Sequence, residues 1–215
     1  MKKMTLFFLV LGLLLGGCAG VPAMPGHAVR AEGAAVIAPL PDVTMENLTD
    51  AILSVSFEAE DVYLDDTGKL QMDAVIYTYD QYDLVDIALL QTGDRIITHR
   101  GEVAVSHVER KDSGMVSING GWEAGGLDLV TDECGVYYAI GANDAKDWYK
   151  IGEATIRVSA DFQGYDQADP DQGTIIFFPG SFLVGEVTNY DFTPWNTTIR
   201  IEKGQVVELH RIYIP

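Results

Sequence analysis

Apolar side chains recur at every second position through much of this chain, and that period restricts those segments to strands. Leu53, Val55, Phe57 and Ala59 alternate with Ser54, Ser56, Glu58 and Glu60. Successive side chains of a strand point to opposite faces, so the pattern makes one apolar and one polar face. Residues 70–79 repeat the alternation after a turn at Asp65, Asp66, Thr67 and Gly68, and the two segments are expected to pair as a hairpin. Near the end, 198–202 and 205–213 flank Lys203-Gly204, a two-residue turn ending in Gly. Further strands are expected over 96–99, 103–109, 115–119, 127–130, 136–140, 154–160 and 174–178. Asp83 is placed to cap a short helical turn over 84–90. Short strands separated by Gly and Asp clusters predict an all-β domain: an antiparallel sandwich or partly open barrel with one or two short helices.

Charge excludes some partners. The 215 residues hold 14 Lys+Arg against 32 Asp+Glu, a net charge of −18. Nucleic acid is not an expected partner, because phosphate binding needs a basic face. An apolar content of 47% is enough for a packed core.

The first 18 residues read MKKMTLFFLVLGLLLGGC. Lys2 and Lys3 precede an apolar run that is short for a membrane span of about 20 residues. Leu15, Gly16, Gly17 and Cys18 follow. This resembles the signal peptide and lipobox of bacterial lipoproteins. The resemblance implies cleavage before Cys18, a diacylglyceryl thioether on its sulfur, and further acylation (palmitate) of the new amino terminus. It places the chain outside the cytoplasm, lipid-anchored to the cell membrane or an outer membrane. Ala19 stands where an Asp would imply retention at an inner membrane. Cleavage would leave 198 residues with 12 basic against 32 acidic side chains, a net charge of −20. The chain has two cysteines, so lipid on Cys18 leaves Cys134 alone, and it is expected as a small buried residue with no intramolecular disulfide. Residues 18–43, with Pro22, Pro25, Pro39 and Pro41, read as the lipidated cysteine and a flexible tether. Residues 44–215 read as a single extracytoplasmic β-rich domain.

Candidate chemistry in that domain is sparse. A two-residue turn at Arg100-Gly101 would pair His99 with Glu102 and set His107 opposite Asp94, a histidine–carboxylate pair suited to a hydrolase. No Gly-x-Ser-x-Gly elbow, His-Glu-x-x-His motif or phosphate-binding glycine loop accompanies it. Asp166, Asp169 and Asp171, with Gly173 after them, have the oxygen spacing of a calcium loop, although Pro170 and Phe177 depart from the EF-hand pattern. No other cofactor is expected. Trp122, between glycine pairs, and Trp195 are the aromatic candidates for stacking on a sugar ring.

The expected function is therefore a membrane-tethered envelope lipoprotein with a non-catalytic binding or structural domain. Its partners are the membrane, through lipid, and an envelope or extracellular ligand. A carbohydrate-binding lipoprotein and an envelope hydrolase are the alternatives. Cys18→Ala is expected to abolish acylation and leave an uncleaved or mis-sorted precursor, measured by detergent-phase partitioning and acyl mass. A variant that still carries diacylglycerol would contradict the lipobox assignment.

Overall fold

Lys203 and Gly204 both take positive φ, 52° and 73°, the backbone sign that lets a two-residue turn follow the twist of paired strands. The hairpin they close is the last element of the computed structural model, which describes residues 33–40, 43–132, 134–187 and 191–214. In chain order the elements are β1 (Val36–Ile37), β2 (Ala51–Ser56), β3 (Val62–Leu64), β4 (Leu70–Thr78), β5 (Gln81–Tyr82) and α1 (Leu84–Leu89). There follow β6 (Arg95–Thr98), β7 (Gly101–Ala104), β8 (Val108–Arg110), β9 (Val116–Ile118), β10 (Leu127–Thr131) and β11 (Tyr137–Ile140). The last are β12 (Tyr149–Gln167), β13 (Ile175–Phe177), α2 (Pro179–Leu183), β14 (Thr197–Glu202) and β15 (Gln205–Ile212). The described residues are all-β with two short helices, as the sequence pattern predicts.

Five of these strands form a barrel. β4 pairs antiparallel with β2, β2 with β14, and β14 with β15. β12 completes the circuit. Its residues 149–157 pair antiparallel with β4, and its residues 157–167 pair parallel with β15. This is a partly closed five-stranded barrel, the general form of OB-type Greek-key barrels. Such barrels host unrelated functions, so none follows from the form. The alternating residues supply the filling: Leu53, Val55, Met72, Ile76, Ile199 and Leu209 are all buried. Phe57, Phe162, Phe177, Phe182 and Phe192 add a connected set of ring contacts.

Residues 79–148, between β4 and β12, build a second layer. A five-stranded sheet runs β5-β11-β10-β9-β8, and a β6–β7 hairpin lies beside it. Tyr82, Ile87, Ile96, Ile118 and Leu129 fill a separate cluster. The Tyr82 hydroxyl donates to the Ile97 carbonyl at 3.0 Å, and burial pushes that phenol well above its usual pKa. Asp83 caps α1 as expected, its Oδ1 accepting from Val85 N at 2.7 Å.

Several sequence expectations are corrected. The strand expected over 53–59 stops at Ser56. A 3-10 turn at Ala59–Asp61 interrupts it, and β3 resumes the pairing with β4, so the tight hairpin is β3–β4. β12 is far longer than 154–160 because both halves find partners. The tether expected over 18–43 ends early. Val36 and Ile37 pair parallel with Arg95 and Ile96, and Ile37 is buried in the second cluster. Residues 18–32, 41 and 42 of that tether, Cys18 and the signal peptide lie outside the described residues. Cys134 is exposed rather than buried, and disulfide-bonded rather than a lone thiol. The reason for its exposure is local. Asp132 Oδ1 accepts from Cys134 N and Val136 N, a turn that holds the residue at the tip between β10 and β11.

Candidate functional site

The register of the barrel aligns one outward row across four strands. His210 lies opposite Thr198, Thr198 opposite Ser54, and Ser54 opposite Tyr77. Their chain neighbours Leu209, Ile199, Leu53, Val55 and Ile76 point into the core, so the period of two turns these four outward. They floor a groove of about 390 Å³, within the range of small-ligand clefts. The Ser54 and Thr198 hydroxyls make no hydrogen bond among the described residues. Tyr77 OH accepts from Ser56 Oγ at 3.2 Å and keeps its own proton to donate.

One wall belongs to the barrel. Trp195 is 53% exposed and sits on a turn that Asn196 locks. Asn196 Oδ1 accepts from Thr193 N at 3.0 Å and from Thr197 Oγ1 at 2.6 Å, and Asn196 Nδ2 donates to the Asp191 carbonyl. The amide oxygen and one of its two N–H donors are used in shaping the turn that carries the indole.

The opposite wall is made where the chain leaves the barrel and returns. Tyr79 follows β4, and Lys146 and Trp148 precede β12. Tyr79 meets Trp148 edge to face at 4.7 Å and Tyr138 at 5.9 Å. The Lys146 ammonium donates to Tyr79 OH at 3.0 Å and lies 4.1, 4.9 and 5.7 Å from the Tyr79, Tyr138 and Trp148 ring centres. Such contacts favour a cation over the ring face.

Beside this wall is the histidine–carboxylate pair, formed by different residues from those expected. The β6–β7 turn is His99-Arg100, because Thr98 pairs with Gly101. This is one residue earlier than Arg100-Gly101, and in a strand a one-residue shift changes every opposition. Asp94 therefore faces Val105 rather than His107, with hydrogen bonds between Val105 N and Asp94 O and between Gly93 N and Val105 O. The Asp94 carboxylate is buried, accepting from Ala35 N and Gln91 N. His107 is exposed. His99 instead meets Asp80, with Nδ1 2.8 Å from Oδ2, and stacks on Tyr149 at 4.2 Å. Arg100 Nε donates to His99 Nε2 at 3.3 Å, which assigns the ring proton to Nδ1. Arg100 also grips Asp147 through two bonds of 2.5 and 2.6 Å. Among the described residues no serine, threonine or cysteine is hydrogen-bonded to the His99 ring. The cluster ties the 99–100 turn to Asp80, Asp147 and Tyr149, which flank the wall residues in sequence.

The other sequence candidates stay apart. Trp122 is half-buried in a 3-10 turn of the second layer, its backbone N–H donating to Asp128 Oδ2 at 2.9 Å. The flanking glycines hold this turn against β9: a Cβ on Gly126 would lie 1.9 Å from the Ile118 carbonyl oxygen. Asp166 is buried at the end of β12, 3.6 Å from Arg211, whereas Asp169 and Asp171 are exposed. The three carboxylates do not converge, and among the described residues no cluster suits a metal ion. A larger concavity of about 550 Å³ on the barrel contains Asp61, Asp73 and Glu153. These are occupied by Glu58 N, Thr155 Oγ1 and Lys150.

Among the described residues no helix is long and apolar enough to cross a membrane. The chain gives no significant match to a protein-family model, a curated protein or a solved structure.

His99→Ala removes a hydrogen bond to a carboxylate that is 2% exposed. It is expected to cost about 1.5–3 kcal/mol of unfolding free energy, the range for hydrogen bonds to charged groups. Urea denaturation measures this, and an unchanged midpoint would contradict the strut.

Proposed function

We propose that this chain is a lipid-anchored protein of the bacterial envelope whose groove binds a sugar ring, without catalysis. The observation that carries the sugar reading is the groove itself: an exposed, rigidly mounted indole across from a second aromatic wall, over a floor where the Ser54 and Thr198 hydroxyls are unbonded among the described residues and Tyr77 keeps a proton to donate. A pyranose has apolar C–H faces and an equatorial rim of hydroxyls. The faces suit Trp195 and Trp148, and the rim suits Ser54, Thr198 and Tyr77. The partners are then the membrane, through lipid at Cys18, and a glycan of the envelope or its surroundings.

Lipid and disulfide compete for sulfur. The chain has two cysteines and Cys134 is disulfide-bonded in the structure, so a thioether on Cys18 excludes a disulfide between the two. A tether on this reading ends before Ile37, which is packed into the second cluster. The hydrolase reading has less support. Its histidine is occupied by Asp80 and Arg100 and stacked on Tyr149.

The test is a glycan array with the chain from residue 19 onward, followed by calorimetry on the best ligand. Trp195→Ala is expected to weaken binding about tenfold or more, roughly 1.4 kcal/mol, with the melting temperature held. A ligand bound equally by wild type and Trp195→Ala would contradict this groove. Glycan turnover that disappears in His99→Ala would replace binding by hydrolysis.

A further inference from the structure

The chain carries more than twice as many acidic as basic residues, yet no Asp or Glu is among the residues that line the groove. Its ionisable cationic groups are Lys146 and His210. His210 has a partner. Its Nε2 is 3.4 Å from Glu208 Oε2, and its ring stacks on Tyr165 at 4.8 Å. Glu208 is in turn gripped by Arg200 at 2.6 and 2.9 Å, and that hydrogen bond holds it below the usual carboxylate range. Lys146 differs. It makes no ion pair among the described residues, and its hydrogen bond goes to a neutral phenol.

An ammonium has three N–H donors. Tyr79 takes one, and the rings around it accept none as strongly as an oxygen would. In a chain this acidic, a lysine on a half-buried wall with no carboxylate beside it is an unused charge facing the groove. Two residues before Lys146 and one residue after it the chain supplies acids, Asp144 and Asp147. Asp147 is turned aside by Arg100 at 2.5 Å, and Asp144 has φ 57° in a separate 3-10 turn and lines a different hollow. The fold thus keeps local carboxylates out of the Lys146 site.

We infer that the groove recognises a carboxylate-bearing sugar, with the Lys146 ammonium bound to the ligand carboxylate while the ring stacks between the aromatic walls. The inference rests on the sugar reading above and adds the charge of the ligand. Net charge opposes an anion at long range, but the Debye length of about 8 Å at physiological ionic strength limits that repulsion, whereas a contact pair in a half-buried groove is screened far less. Caging by three rings restricts the lysine stem, so less side-chain entropy remains to be lost on binding.

The experiment compares neutral oligosaccharides with the same oligosaccharides oxidised at C6 to uronates, by calorimetry at two ionic strengths. Wild type, Lys146→Met and Lys146→Arg are measured, each with a melting curve. Wild type is expected to bind the uronate about tenfold more tightly than the neutral form, the ratio one charge-assisted hydrogen bond supplies, and the ratio should shrink as salt rises. Lys146→Met should bind both forms alike, at the neutral affinity, and Lys146→Arg should keep the preference. Equal binding of both sugars by wild type overturns the inference and leaves the sugar reading standing. A uronate preference retained by Lys146→Met overturns the role of Lys146. Binding of neither sugar overturns the sugar reading and this inference together.

Discussion

The double pairing of β12 is the constraint on which the rest depends. One strand runs antiparallel to β4 along its first half and parallel to β15 along its second, and Arg157 pairs with both Gln71 and Gln205. Among the described residues no other element joins those two edges. Closure fixes the twist and the register of β15, β14, β2 and β4, and that register sets His210, Thr198, Ser54 and Tyr77 in one row. It also brings the exit and return of the 79–148 segment to one place, since Tyr149 pairs with Thr78. Tyr79 and Trp148 are therefore brought together across the base of a long excursion. Lengthening a loop costs slowly, about 0.6 kcal/mol per doubling, so the barrel tolerates a whole second layer there.

That second layer contributes more than mass. Its 99–100 turn reaches back to the junction, where His99 and Arg100 hold Asp80 and Asp147. Among the described residues each charged group near the wall then has an internal partner of opposite charge, apart from Lys146, whose partners are a phenol and aromatic rings. Buried or half-buried polar groups are stable when paired, and the pairing here leaves one ammonium directed at the groove. Asp80 Oδ1 is the exception within the strut, buried without a hydrogen-bond partner, so the carboxylate depends on its other oxygen, which takes both His99 contacts.

Much of the architecture was legible because the physics was local. Alternation at 70–78 and 197–212 encodes which face is inward, and Lys203-Gly204 encodes a turn that needs no distant contact. Asp83 announces its helix for the same reason. The histidine pair was misplaced by one residue, since Arg100-Gly101 and His99-Arg100 are both two-residue turns with turn-compatible chemistry. Only the packing of Ile96 and Val105 in the second cluster chooses between them. Trp195 was visible as an aromatic near a strand end. Lys146 was hidden among Asp144 and Asp147, where a lone cation reads as surface, and its aromatic cage comes from positions 79, 138 and 148. The dense aromatics of Tyr77, Tyr79 and Tyr82 were the signal present in the sequence, but only barrel closure says that the first two share a face with Trp195.

The central claim is that the barrel and its insertion form one binding groove from two walls. Hydrogen–deuterium exchange on the chain from residue 19 onward, with and without a saturating uronate oligosaccharide, tests it most directly. The account predicts added protection in peptides covering 77–81, 146–148 and 195–198 together, with 120–126 and 166–173 unchanged. Protection confined to one wall, or centred on Trp122, would contradict it.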